Sequence, residues 1–374
     1  MTRTPLRPRR RVTAIAAGLG LSAVVSVSVL GTTGAGQPPA ASPSTVAAAR
    51  SFLARFVMAD GRVSRPGQGS DTVSEGQAYA LLLAQVARQP ATFARVWRWT
   101  AAHLQQPDGL LAWHANADGV VLSPTAASDA DLLSAWALSR ASGPGSSGYH
   151  VQARRLARAI LARETIRSGP YLLAAGPWAT GSPGTLDPSY WSPLALNGLA
   201  RFTRDARWRR LAHGAGVYLG AITDGGALLP PDWARLQGNA ATAEPAPGGG
   251  SAQVQYGLDA QRVVVWMATS CAAAERRLAA RWWPLLAPRG RAGAIALGTE
   301  GNVIDPDANA LSYVAAAAAA VAAGDGRAMR TLLGRARTAE AGSRDYYGGA
   351  WLALGDALLT TNALGGCAGK GVSG

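Results

Sequence analysis

Hydrophobic residues recur at helical spacing along most of this chain, and two kinds of helical segment alternate. One kind is apolar at nearly every position, as in AYALLLAQVA (78–87) and LSYVAAAAAAVAAG (311–324). The other kind carries arginines on one face, as in VQARRLARAILARE (151–164). Helices that are apolar all round belong in an interior, and amphipathic helices belong at a surface. The pattern predicts twelve helices, near residues 45–58, 72–88, 91–105, 128–141, 150–165, 188–203, 205–223, 256–273, 275–286, 307–323, 326–339 and 345–360.

The alternation predicts an all-α fold, an (α/α)6 barrel of six inner and six outer helices. Strand-like alternation is nearly absent. The links that lead from an outer to an inner helix are long (106–127, 166–187, 224–255 and 287–306), and long loops without secondary structure usually carry function. These links would gather at the rim where the inner helices begin. A ring of polar residues is expected there: Glu75, Asp129, Tyr190, Asp259, Asp307 and Tyr346.

The N-terminal segment is predicted to direct export. Three arginines (9–11) precede twenty uncharged residues (12–31), and Gly, Pro, Ala and Ser dominate the stretch to about residue 45. A basic region followed by an apolar one is typical of a signal peptide, although this apolar run is long enough for a membrane anchor. We therefore expect residues 1–45 to form a signal or anchor with its linker, and residues 46–374 to form the barrel, in a periplasmic or secreted protein.

Charge and cysteine content limit the partners. The formal net charge is +14 and Lys370 is the only lysine, but the arginines are spread along helical faces without a nucleic-acid-binding tract. We expect no nucleic-acid partner, and membrane contact only through the N-terminal segment. The two cysteines, Cys271 and Cys367, could form one disulfide in an oxidising compartment or remain free thiols.

Three acids are candidates for general acid–base chemistry, which needs one protonated and one ionised carboxyl near the reaction centre. Glu75 stands in VSEGQAYALLL (73–83), where an apolar helix start would raise the pKa of its carboxyl, although a carboxylate in a first turn also simply complements the helix dipole. Asp129 in ASDADLL could equally be a helix-capping residue. Asp259 in YGLDAQRVVVW lies in an apolar segment, where Arg262 one turn later could be a merely structural partner.

Aromatic residues in the long links favour a carbohydrate-binding groove. Trp113, Trp178, Trp191 and Trp233 lie there, and the flat face of an indole is suited to stacking on a sugar ring, although each could instead pack in the core. Other chemistries are poorly supported. Four scattered histidines and two distant cysteines offer no metal-ligand spacing, and no Walker motif or G-x-S-x-G sequence occurs. The sequence therefore predicts neither a metal nor a cofactor.

The motifs VSEGQAYALLL, ASDADLLSAWAL, DPSYWSP, LLPPDW and YGLDAQR occur in an order that resembles glycoside hydrolase family 8, over residues 45 to 360. The resemblance implies an inverting endo-hydrolase of β-1,4-linked polysaccharide. By the same resemblance Glu75 is the proton donor, Asp129 binds the sugar at the cleavage subsite, and Asp259 is the base, with Arg262 beside it. Tyr190 and Trp113 match the family's substrate-binding positions, and we add Trp191 and Trp233 as candidate sugar contacts.

The short chain and LLPPDW look most like the endoglucanases that accompany bacterial cellulose synthases. This implies an endo-β-1,4-glucanase that trims nascent cellulose, with a cellulose synthase complex as partner. Two alternatives stay open. One is a chitosanase or xylanase of the same family, although a chitosanase should present extra acids and the 224–255 link offers few, such as Asp232 and Glu244. The other is an inactive glucan-binding barrel, which would need the tryptophans but not the acids.

Overall fold

Twelve helices organise the chain in the computed structural model, which describes residues 42–167, 171–249 and 252–368. The predicted export segment falls almost entirely outside the described residues. Each of the twelve predicted segments overlaps one helix. The helices are Pro43–Phe56 (α1), Ser74–Val86 (α2), Pro90–His103 (α3), Ser128–Ser139 (α4), Ser146–Arg163 (α5), Pro193–Thr203 (α6), Arg207–Ile222 (α7), Leu258–Thr269 (α8), Ala273–Leu286 (α9), Ala310–Ala322 (α10), Gly326–Ser343 (α11) and Tyr346–Thr360 (α12).

The even-numbered helices form a closed inner ring. Each packs against the next even-numbered helix, and α12 packs against α2 to complete the ring. The sequence explains this arrangement, because residues 315–320 of α10 are all alanine and fully buried, so that neighbouring helices can approach closely. The predicted (α/α)6 barrel is confirmed.

The odd-numbered helices surround the ring and expose their arginine faces. Helix α5 buries Leu156 and Ile160, for example, while Arg154 and Arg158 on the same helix face solvent. This is the amphipathic pattern expected of an outer layer. Among the described residues, none of the helices combines the length and apolar character needed to cross a bilayer.

The links that lead to the inner helices contain short antiparallel strands, which the sequence pattern did not predict. They form four small sheets, in the orders β1-β2-β3, β4-β5, β6-β7-β8 and β9-β10. Most have two to five residues, and both six-residue strands, β3 and β10, contain a proline, so alternation is too brief to detect. The strands are Thr72–Val73 (β1), Ala112–Ala115 (β2), Val121–Ala126 (β3), Thr165–Ile166 (β4), Leu172–Leu173 (β5), Gly184–Leu186 (β6), Trp233–Gln237 (β7), Ala240–Glu244 (β8), Ala294–Leu297 (β9) and Val303–Ala308 (β10).

Helices α6 and α10 begin five and three residues later than predicted. Helix α6 starts at Pro193, so Tyr190 lies in the preceding 3-10 turn, Pro188–Tyr190. Helix α10 starts at Ala310, where Asn309 caps it by accepting from the Leu311 N–H at 2.9 Å. Asp307 is therefore an exposed residue of β10, and its predicted place at a helix start is wrong.

A disulfide joins Cys271 to Cys367, which decides between the two alternatives left open by the sequence. Cys271 follows the end of α8, and the Cys367 N–H donates to the Thr269 carbonyl at 2.9 Å. The bond attaches the segment after α12 to the end of α8, the helix whose first two turns carry Asp259 and Arg262.

Candidate active site

A cavity of about 660 Å³ opens at the rim where α2, α8 and α12 begin. Each of these helix starts contributes residues to its wall, and the remainder come from the links that precede them. Glu75, Asp259 and Trp233 line it, as the sequence analysis expects of residues at this rim. The other lining side chains include Arg65, Gln68, Asp232, Gln255, Leu258, Asn309, Asp345, Tyr346 and Tyr347.

One guanidinium group, that of Arg262, connects four carboxyl groups, of which those of Glu75 and Asp259 line this cavity. Its Nη1 donates to Glu75 Oε2 at 3.3 Å and to Asp129 Oδ2 at 3.1 Å. Its Nη2 donates to Asp259 Oδ1 at 2.7 Å and lies 3.6 Å from Asp187 Oδ2. The Arg262 side chain is almost fully buried. The structure therefore brings all three predicted acids together around a single cation.

Glu75 occupies the first turn of α2, and its carboxyl is 21% exposed to the cavity. Burial raises the pKa of Glu75 to about 7, against the opposing effect of Arg262, and the charges of Asp129 and Asp259 raise it further. Asp129 and Glu75 contact the same nitrogen of Arg262, so Asp129 is near enough for its charge to matter. Glu75 can consequently hold a proton near neutral pH.

The segment around Glu75 is shaped to hold this carboxyl in place. Tyr79, one turn later, donates to Glu75 Oε2 at 3.3 Å and accepts from Arg262 Nη1 at 3.2 Å. Gly76 lies against the hydroxyl of Tyr346, and a Cβ atom at this position would clash with that hydroxyl. Gln77 is buried and accepts from the Val63 N–H at 2.6 Å, which ties the first turn of α2 to the preceding segment.

Asp129 lies beneath the cavity floor, in the first turn of α4. Its Oδ1 accepts from the Ala130 N–H at 2.7 Å, but the N-cap position of α4 is Ala127, so Asp129 is not the capping residue. Burial is the main cause that raises the pKa of Asp129, and Arg262 opposes it. Asp129 is thus an acid beneath Glu75, with little direct exposure to the cavity.

Asp259 is the most exposed carboxyl of the four, with 38% of its side chain accessible. Asp232, which precedes α8 in the chain, binds the start of the helix that carries Asp259. The sequence analysis considered Asp232 only as a possible contact for amino sugars. Asp232 Oδ1 accepts from the N–H groups of Gly257 and Ala260 at 2.9 and 2.8 Å. Burial and the charge of Asp259 raise the pKa of Asp232 to about 6, against the effect of these hydrogen bonds. Asp232 therefore caps the start of α8.

Asp187 is a second acid that the sequence analysis did not single out, although it begins the DPSYW motif. Its side chain is fully buried below Asp259. Burial raises the pKa of Asp187 well above its usual value, and the charge of Asp259 adds to this effect. Only the three-dimensional structure places it on Arg262, 75 residues away in sequence. The DPSYW motif could have indicated a role for Asp187, because burying a carboxyl group without a partner costs free energy.

The predicted aromatic contacts have different positions. Trp233 lies at the cavity wall and makes an edge-on contact with Tyr190, with ring centroids 6.4 Å apart. The Tyr190 ring lies under the Arg262 guanidinium, 5.5 Å from its carbon. Trp113 in β2 is 38% exposed and stacks on His114, outside the cavity lining given above. The His114 Nε2 contacts Asp71 Oδ2 at 2.8 Å, and this contact holds the imidazole ring on which Trp113 stacks.

The prediction that Trp191 contacts substrate is wrong. Its side chain is fully buried, and its Nε1–H donates to the Leu173 carbonyl at 2.9 Å. Trp191 is a core residue that this hydrogen bond joins to β5. The neighbouring Trp178 is by contrast about half exposed.

Within the described residues, no group of three or more His, Cys, Asp and Glu side chains is arranged to hold a metal ion. The carboxyl groups of the cavity already share one cation, the guanidinium of Arg262. The arrangement is instead suited to proton transfer by an acid–base pair, because Glu75 and Asp259 both reach the cavity and differ in exposure.

Comparison with known sequences assigns the chain a family. The family model described as "Glycosyl hydrolases family 8" matches residues 35–361. A probable endoglucanase of Novacetimonas hansenii is 32% identical over 222 residues, which cover 57% of this chain and 64% of that protein. An endoglucanase of Cellulomonas uda is 30% identical over 193 residues, which cover 50% of this chain and 54% of that protein. The aligned regions thus span between half and two thirds of these curated relatives.

Comparison with solved structures supports the fold independently. An endo-β-1,4-glucanase from Acetobacter xylinum superposes with a TM-score of 0.67 at 23% identity, covering 83% of this chain and 96% of that one. A β-1,3-1,4-glucanase from Paenibacillus sp. X4 superposes with a TM-score of 0.73 at 19% identity, covering 87% and 94%.

Replacing Arg262 with methionine should destabilise the protein in a pH-dependent manner. Removing the cation from a buried ion-pair cluster leaves charges uncompensated, and we expect the free energy of unfolding at pH 8 to fall by about 3–5 kcal/mol. The orphaned carboxyls would have folded-state pKa values above their unfolded values. The loss should therefore shrink as pH falls, because protonation then removes the uncompensated charge.

Urea unfolding at pH 5 and pH 8, followed by circular dichroism, measures this difference. Arg158→Met on α5 is the matched control, because Arg158 is exposed on the outer layer. A loss for Arg262→Met that is as small as the control, or independent of pH, would mean that Arg262 does not compensate the cluster.

Proposed function

The chain belongs to glycosyl hydrolase family 8, whose model matches residues 35–361, and from that membership we propose that it is an inverting endo-hydrolase of β-1,4-glucan. Residues 46–374 form its catalytic domain. The observation that carries the proposal is the Arg262 cluster, which holds a protonatable Glu75 and an exposed Asp259 at one cavity.

In the proposed reaction Glu75 donates its proton to the glycosidic oxygen of the leaving sugar. Asp259 accepts a proton from a water molecule that attacks the anomeric carbon from the opposite face. Such a mechanism needs the two carboxyls roughly 6.5–9.5 Å apart, so that the water fits between base and sugar. Glu75 Oε2 accepts from Nη1 of Arg262 and Asp259 Oδ1 accepts from Nη2, so a single guanidinium group lies between the two carboxyls. This arrangement supports the required separation.

The remaining candidates have supporting roles in this proposal. Asp129, beneath the cleavage point, raises the pKa of Glu75 and holds the sugar. Arg262 orients the acids, and Tyr190 under it bounds the cleavage subsite. Trp233 at the cavity wall and Trp113 on β2 supply flat apolar faces for sugar rings.

The state of the other acids favours a neutral glucan over chitosan. Chitosan would require free carboxylates to meet its amino groups. Besides Glu75 and Asp259, the acids of the cavity wall are Asp232 and Asp345, and both cap helices. Glu244 is paired with Arg235 at 3.0 Å. A xylan substrate remains the enzyme alternative, since an exo-oligoxylanase of Paenibacillus barcinonensis is 29% identical over 189 residues.

The proposal includes an exported location. The basic and apolar N-terminal sequence is typical of a signal peptide or anchor, which supports a location in the periplasm or outside the cell. The disulfide between Cys271 and Cys367 supports an oxidising compartment. By its resemblance to the endoglucanases of cellulose synthesis, we extend the proposal to nascent cellulose as substrate and a cellulose synthase complex as partner.

A substrate and stereochemistry assay tests the proposed reaction. We expect the purified full chain to release reducing ends from carboxymethyl-cellulose faster than from chitosan or xylan. Proton NMR of cello-oligosaccharide hydrolysis should show the α-anomer first, because inversion converts the β-linkage. Initial release of the β-anomer would contradict inversion, and preference for chitosan or xylan would assign the alternative substrate. Binding without hydrolysis would indicate an inactive glucan-binding barrel.

Glu75→Gln should separate hydrolysis from binding. The amide keeps the shape of the side chain but cannot donate a proton to the leaving oxygen, so the rate should fall by about 10²-fold or more. Cello-oligosaccharide affinity, measured by isothermal titration calorimetry, should persist. Glu300→Gln is the matched control, because Glu300 is exposed in the β9–β10 turn. Turnover within a few-fold of wild type would mean that Glu75 is not the proton donor and only complements the dipole of α2.

A further inference from the structure

The hydrogen bonds of Asp187 are distributed unequally between its two oxygens. Oδ1 accepts both the backbone N–H and the hydroxyl of Ser189, at 2.8 and 2.6 Å. Oδ2 is buried, and within the described residues it has no hydrogen-bond partner. It lies 3.6 Å from the Nη2 of Arg262, the nitrogen that donates to Asp259. One half of this carboxyl is therefore fully satisfied and the other half is not.

An ionised Asp187 would be expensive at this position. Arg262 is already shared with Glu75, Asp129 and Asp259, and a buried charge without its own partner is costly. Two like charges on the same nitrogen also disfavour simultaneous ionisation. A proton on Oδ2 removes one of these charges, and it converts an unsatisfied acceptor into a donor.

The groups that face Asp187 support the same protonation state. Asp259 on α8 disfavours its anion, whereas Arg262 and the two Ser189 donors favour it. Tyr190, the last residue of the same 3-10 turn, is partly buried beside it. Burial outweighs the favourable contacts, so the pKa of Asp187 lies well above its ordinary value.

We propose that Asp187 stays protonated in the working enzyme and donates its Oδ2 hydrogen to the carboxylate of Asp259, which makes it a positioning residue for the base. The inference rests on the proposed function, since it matters for hydrolysis only if Asp259 accepts the proton of the attacking water. A donor to the ionised form stabilises that form and lowers its pKa. Asp187 thus stabilises the carboxylate form of Asp259 and keeps it oriented toward the cavity.

Two substitutions of Asp187 distinguish a proton donor from an anion. Asp187→Asn keeps a donor near the Oδ2 position and an acceptor for Ser189, so kcat/KM should fall no more than about fivefold, with the acid limb of its pH profile in place. Asp187→Ala removes the donor. Its kcat/KM should fall by about 10²-fold, and its acid limb should move up by about one pH unit, because the base loses its hydrogen-bond donor.

The opposite result would follow if Asp187 were ionised. Both substitutions would then remove a negative charge beside Asp259, and both acid limbs would move to lower pH. A fall in activity without any shift of the acid limb in either variant would make Asp187 a structural residue, which also overturns the proposal. Ser189→Ala is the control for the 3-10 turn: it should lower the melting temperature and leave the acid limb unmoved.

Infrared spectroscopy reads the protonation state without relying on activity. The difference spectrum between wild type and Asp187→Asn, at the pH of maximal activity, should lose the carbonyl stretch of a protonated carboxylic acid. Loss of a carboxylate band instead would refute the proposal. Full activity of Asp259→Asn would overturn the proposed role of the base, whereas the infrared result would still decide the state of Asp187.

Discussion

Four carboxyl groups share one buried guanidinium, and the chemistry of the cavity depends on this imbalance of charge. Charges about 4 Å apart interact with about 4 kcal/mol at the dielectric constant suited to partly buried protein sites. The single cation of Arg262 cannot compensate four anions, so part of the cluster must hold protons. Exposure decides how the protons are distributed: Asp259 reaches solvent and can stay ionised, whereas Glu75 is less exposed and Asp187 is fully buried. Acid and base can coexist because their surroundings differ.

The barrel creates this cluster by directing the first turns of its inner helices at one rim. Glu75, Asp129 and Asp259 all stand in first turns, where the helix dipole favours anions. The dipole therefore opposes protonation of Glu75, and burial with neighbouring acids must outweigh it. The Arg262 side chain crosses from α8 to reach α2 and α4, so the ring must close accurately for the site to form. The apolar inner helices determine that closure.

Sequence periodicity predicted the ring because burial on every side leaves a signal at each position of the inner helices. It also indicated Glu75, Asp129 and Asp259, since an acid at the start of such a helix is conspicuous. Contacts between distant segments leave no such signal. Asp232 caps α8 from 25 residues upstream of Gly257, and Asp187 reaches Arg262 only in the folded chain. Trp191 was misassigned because the sequence around a tryptophan in a long link does not show whether its side chain faces a groove or the core. The small sheets were missed because strands of two to six residues carry too little alternation.

The central claim is that the Arg262 cluster leaves Glu75 protonated near neutral pH, and titration of its carboxyl carbon tests this most directly. Carbon-13 NMR of protein labelled at the glutamate side chains can follow this resonance, with Glu75→Gln identifying it by its disappearance. The account predicts a midpoint of about 7, caused chiefly by burial and opposed by Arg262. Glu75 would then donate a proton below that pH and lose this ability as pH rises through it. A midpoint near the ordinary glutamate value of about 4.3 would contradict the account.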